Sequence, residues 1–118
     1  RRSSEREEMR TFCPTWSEAQ LRLRAQWLHT CDERAIATSF DAFQTDDIHA
    51  DAARIAVPVL LLTAERGDVV RPVDVDELRG LLPALQERRV TGAGHMIPWD
   101  NEAAFYTAFG NFLGQELT

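Results

Sequence analysis

"IAVPVLLLTAERGDVV", residues 55–70, decides the architecture of this chain. Its first ten residues are β-branched or leucine-rich and show no alternation of polar with apolar. That is the pattern of a strand covered by helices on both faces, as in a parallel sheet. The run then breaks into a polar, glycine-containing loop. Working outward, "PVDVDELRGLL" (72–82) reads as a helix with Pro72 near its start and Leu78, Leu81 and Leu82 turned inward. "QERRV" (86–90) is a second, shorter strand. "DNEAAFYTAFGNFL" (100–113) is a closing helix, with Phe105, Phe109, Phe112 and Leu113 on one stripe. The second half is thus a parallel βαβα unit, whose crossover is expected to be right-handed.

Upstream the pattern is helical. "SEAQ" (17–20) is a capping box, in which Ser17 and Gln20 satisfy each other's open backbone N–H groups. Leu21, Ala25 and Leu28 follow on one face, widened by Leu23 and Trp27. A second helix is predicted from Asp32, with Ile36, Phe40 and Phe43 on a stripe. "QTDDIHADAARI" (44–55) reads as a polar connector. Residues 1–15 are polar and end in a turn at "CPTW", where Pro14 stops any preceding helix.

Composition narrows the class. The chain has 118 residues, of which 44% are hydrophobic and 27% charged, enough for one small domain with a core. "AVPVLLLTA" (56–64) is far too short to span a bilayer, and no signal peptide precedes it, so no membrane partner is expected. A net charge of −6 argues against a nucleic-acid partner. All 13 basic residues are Arg, which removes any lysine Schiff-base chemistry. Cys13 and Cys31 make no disulfide scaffold, and the expected compartment is cytoplasmic. The chain opens on Arg1-Arg2 without Met, and two parallel strands do not make a stable sheet by themselves. The expectation is a C-terminal piece whose partner is a missing N-terminal half.

Chemistry is expected where parallel strands end. The first strand runs into Glu65 and Asp68. The second runs into "TGAGH" and delivers His95, 27 residues after Asp68. Both loops open on the same sheet edge, so an acid and an imidazole arrive together. A carboxylate on one ring nitrogen frees the other to take a proton from a nucleophile. His29, Cys31, Asp46, Asp47, His49 and Asp51 are metal-ligand types, but no pair has a recurring zinc spacing, and no metal is expected. His49 reads as a solvated connector residue, and both thiols as packing.

The order acid then histidine, on "VPVLLLTAERGDVV" and "VTGAGHMIPWDN", resembles the last two strands of the α/β-hydrolase family. "TFCPTWSEAQLRLRAQWLHTCDERAI" and "FDAFQTDDIHAD" resemble the helical lid of its amide-hydrolysing deformylase branch, which acts in nicotinic acid breakdown. The likeness runs from Met9 to Leu113. It implies a helical lid at 1–52 and the end of the catalytic domain at 53–118. It also implies a Ser–acid–His mechanism on a small-molecule substrate, with His95 as base and no cofactor. Asp68 is the implied acid, with Glu65 or an acid upstream of the chain as alternatives. Phe12, Trp16 and Trp27 read as lid core, and Trp16, Trp27 and His29 are the candidate substrate-pocket residues by residue type and place in the lid. The nucleophile belongs in a G-x-S-x-G turn; Ser3, Ser4, Ser17 and Ser39 lack that context, so it is expected outside the chain. An esterase, lactonase or C–C hydrolase, or a non-catalytic binding module, would use the same scaffold.

Overall fold

The computed structural model describes residues 2–67 and 69–117, with side chains from residue 7 onward. Two compact units divide the chain, Arg1–Ile48 and His49–Thr118.

The first unit is helical. Helix α1 (Arg2–Phe12) forms in the polar leader, is stopped ahead of Pro14, and packs against α2 (Glu18–Leu28). The capping box at the start of α2 is present: Ser17 N–H donates to Gln20 Oε1 at 2.7 Å, and Gln20 N–H to Ser17 Oγ at 3.3 Å. Arg10 pairs with Glu18 across the turn between the two helices. Met9, Trp16 and Leu21 are buried. Of the face predicted for α2, Leu21 is sealed, whereas Leu23, Trp27 and Leu28 stay open to solvent. Helix α3 (Glu33–Thr45) is capped by the Asp32 side chain, which accepts from Ala35 N–H at 2.9 Å. It buries none of its residues, and the predicted stripe of Ile36, Phe40 and Phe43 is exposed.

The second unit begins with the single turn α4 (His49–Ala52), inside what reads as connector. Strands β1 (Val59–Ala64) and β2 (Leu85–Val90) pair in parallel, in register from Val59↔Leu85 to Ala64↔Val90. Helix α5 (Pro72–Leu81) connects them. Its buried positions are Val75 and the C-capping Leu82, with Leu78 and Leu81 only half-buried, so the inward face is rotated towards Val75. Strand β1 is half-buried along most of its length rather than covered on both faces, since the described sheet has two strands.

The predicted closing helix is α7 (Glu102–Leu113), preceded by a single turn, α6 (Ile97–Asp100), that shares only Asp100 with the predicted span. Asn101 stands between the two, at φ −151° and ψ 78°. Its side-chain oxygen caps α7 by accepting Ala104 N–H at 3.1 Å, while its amide nitrogen donates to Thr91 O at 3.0 Å. Val90, Ala93 and Ile97 form the core of this unit, with Leu62, Ala64, Ala104 and Phe105 packed on it. Among the described residues, no helix is long and apolar enough to cross a membrane.

Candidate active site

Equal-length strands in register bring Ala64 and Val90 level, so the loops after β1 and β2 leave the same edge side by side. They are tied directly. Glu65 N–H donates to Val90 O at 3.2 Å, and Arg66 N–H to Ala93 O at 2.9 Å. Gly92 N–H donates to Glu65 Oε2 at 2.7 Å. Gly92 O accepts twice from the Arg66 guanidinium, at 3.2 Å from Nε and 3.0 Å from Nη2. Gly92 has φ +71°, a left-handed conformation that a side chain would strain.

His95 sits on this edge. The residues two before and two after it, Ala93 and Ile97, are both in the core, while His95 itself is exposed. Anchored at both flanks, the turn has to present the imidazole outward. His95 lines a cavity of about 130 Å³ together with Leu62, Ala64, Arg66, Val70 and Ile97. Among the described residues the lining is largely apolar, and His95 brings an imidazole to it.

The predicted partners fall differently. Asp68 lies outside the described residues, although its neighbours Gly67 and Val69 line the same cavity as His95. Glu65 uses one carboxylate oxygen to hold the Gly92 amide. In the helical unit, Trp16 is 3% exposed, with the Arg24 guanidinium 5.8 Å from its ring centroid. Trp27 is 47% exposed, and His29 caps the C-terminus of α2, donating its N–H to the Gln26 and Trp27 carbonyls. Ser17 is an N-cap, and Ser39 lies within α3, so neither occupies a strand-to-helix elbow. His49 Nε2 faces Glu77 Oε1 at 3.1 Å. No cluster of three or more His, Cys, Asp or Glu side chains is placed to hold a metal among the described residues.

Two residues that sequence reasoning passed over stand next to the histidine. Asp100 is nearly closed off, its side chain 4% exposed. Its Oδ2 accepts Gly94 N–H at 2.7 Å, and Oδ1 lies 4.0 Å from Arg66 Nη2. A Cβ at Gly94 would come within 3.1 Å of that Oδ2. The only trace of this in the sequence is the glycine immediately before the histidine.

No family model matches the chain. The chain is 50% identical over 111 residues to N-formylmaleamate deformylase of Pseudomonas putida (strain KT2440), a match covering 94% of this chain and 41% of that protein. The crystal structure of N-formylmaleamic acid deformylase of Pseudomonas putida strain S16, in a serine-to-alanine variant, matches with a TM-score of 0.77 at 48% identity. It covers 90% of this chain and 42% of that one. The chain therefore spans about two-fifths of the length of the relatives it matches. In sequence and in backbone it is similar to the C-terminal part of a deformylase, and its fold is that part of an α/β-hydrolase.

Proposed function

We propose that the chain is the histidine-bearing portion of a serine-dependent amide hydrolase, converting N-formylmaleamate and water to maleamate and formate. One observation carries the reading: the imidazole of His95 is held out between two core residues, at the edge where parallel strands end, over a small apolar cavity. The similarity to deformylases selects the substrate class.

In this reading a serine hydroxyl from outside the 118 residues attacks the formyl carbonyl, and His95 takes its proton. The tetrahedral adduct collapses as the imidazolium returns that proton to the leaving nitrogen, releasing maleamate and leaving a formyl ester on the serine. His95 then removes a proton from water, which attacks the ester. Formate departs and the serine regains its proton. Asp68 is assigned as the carboxylate that orients the ring. Trp16, Trp27 and His29 are assigned to substrate contact, Trp27 and His29 being the two with open surface to offer. The assigned setting is the cytoplasm, and the assigned partner is the missing N-terminal half, which supplies the nucleophile.

The test is formate release from N-formylmaleamate, set against hydrolysis of p-nitrophenyl acetate, by the protein with the segment preceding this chain in place. His95→Ala is expected to lower kcat/KM by about 10³-fold or more, within the range general acid–base catalysis supplies. Ester hydrolysis without formate release would make the enzyme an esterase. Full activity in His95→Ala would end the proposal.

A further inference from the structure

The segment before His95 is held at successive backbone groups from Gly92 N–H to Gly94 N–H. Gly92 N–H is held by Glu65, Gly92 O by Arg66, Ala93 O by the Arg66 amide and Gly94 N–H by Asp100. Ala93 N–H closes back on Val90 O at 3.4 Å. Five consecutive backbone polar groups are thus occupied, three of them by side chains from outside the turn, those of Glu65, Arg66 and Asp100. A nearly closed carboxylate needs compensation, which the Gly94 amide and the nearby guanidinium provide. A surface turn built only to reverse the chain would not hold a carboxylate at 4% exposure.

We propose that Arg66 and Asp100 are positioning residues for His95, clasping its loop from the β1 side and the α6 side so that the imidazole keeps one placement over the cavity. The inference rests on the hydrolase reading for its kinetic consequence, but not for its structural one. Arg66 acts through the Gly92 carbonyl and Asp100 through the Gly94 amide, and neither is assigned a proton-transfer step. A loop displacement of about 1 Å is enough to cost on the order of a hundredfold in rate, because a base works only within hydrogen-bonding reach of its proton.

The test uses the protein with its complete active site. Asp100→Ala is expected to lower kcat at least tenfold with KM within twofold. Asp100→Asn, whose amide oxygen still accepts Gly94 N–H, is expected to keep kcat within threefold. Leu82→Ala, at the end of α5, supplies the stability control and is expected to leave kcat unchanged at a temperature where it is folded. NMR hydrogen exchange at the Gly94 amide is expected to quicken at least tenfold in Asp100→Ala and to stay near wild type in Asp100→Asn. If Asp100→Ala does not fold, Arg66→Lys replaces it. A lysine cannot direct two N–H groups at the Gly92 carbonyl, and kcat is expected to fall severalfold with KM unchanged. Unchanged Gly94 exchange in Asp100→Ala, or a kcat loss no larger than that of Leu82→Ala, overturns the clasp. If the wild type hydrolyses neither amide nor ester, the hydrolase reading fails, and Gly94 exchange then decides the clasp by itself.

Discussion

The two units handle their apolar residues in opposite ways. In the sheet unit, Val90, Ala93 and Ile97 close upon one another at the strand ends, and the polar loops are laced over them. In the helical unit, α3 carries an equally regular stripe, yet Ile36, Phe40 and Phe43 are 56%, 64% and 88% exposed. Periodicity therefore specifies which face of a helix is apolar and leaves open what covers that face. The sheet unit contains both sides of its own contact, because β2, the histidine turn and α6 are consecutive in the chain. The stripe on α3 has no such neighbour written beside it.

The contrast is sharpest in stability. Ile97→Ala is expected to cost about 2–4 kcal/mol, and Leu21→Ala about as much, because each removes a buried aliphatic side chain. Phe40→Ala is expected to stay within about 0.5 kcal/mol despite deleting a larger side chain, since its ring is already in water. Urea midpoints of the three variants check this, and a loss at Phe40 comparable to that at Ile97 would erase the distinction.

Helix caps give a smaller and more graded difference. Asp32→Ala is expected to cost about 1 kcal/mol, the usual loss for one capping bond. Asn101→Ala is expected to cost about 2 kcal/mol, because it also releases the bond to Thr91 O that ties α7 to the end of β2. Chemical denaturation separates the two. Equal losses would mean that the Thr91 contact contributes nothing.

The smallest effect is one of pH. The Arg71 guanidinium, and then the Arg71 amide, bond the Asp74 carboxylate and pull its pKa from the ordinary 3.8 to about 2. A carboxylate depressed on folding stabilises the fold fully above the unfolded value, and that support fades as pH falls from about 4 to about 2. The Tm difference between wild type and Asp74→Asn is expected to be constant from pH 7 to about 4, to shrink between about 4 and 2 and to vanish below that. A difference that persists at pH 2 would assign the effect to something other than ionisation.

Much of the fold was legible because its signals are local. The unbroken apolar run before Ala64, the capping box at Ser17, the helix start at Asp32 and the stop before Pro14 all depend on residues a few positions apart. The placement of His95 was legible for a topological reason, since parallel strands put their following loops on one edge. The turn α6 was not legible, because four residues are too few for a helical period to show. Arg66 and Asp100 were hidden because their meeting spans 34 residues and is created by the strand pairing itself. The open face of α3 was unreadable because burial depends on the covering layer, which periodicity does not describe.

The close fit of Gly94 against Asp100 has a genealogical consequence. These two positions are not free to drift separately. A lineage that acquires alanine at 94 has to find a few tenths of an ångström by shifting the acid, so homologues are expected to hold both residues together or to have exchanged both.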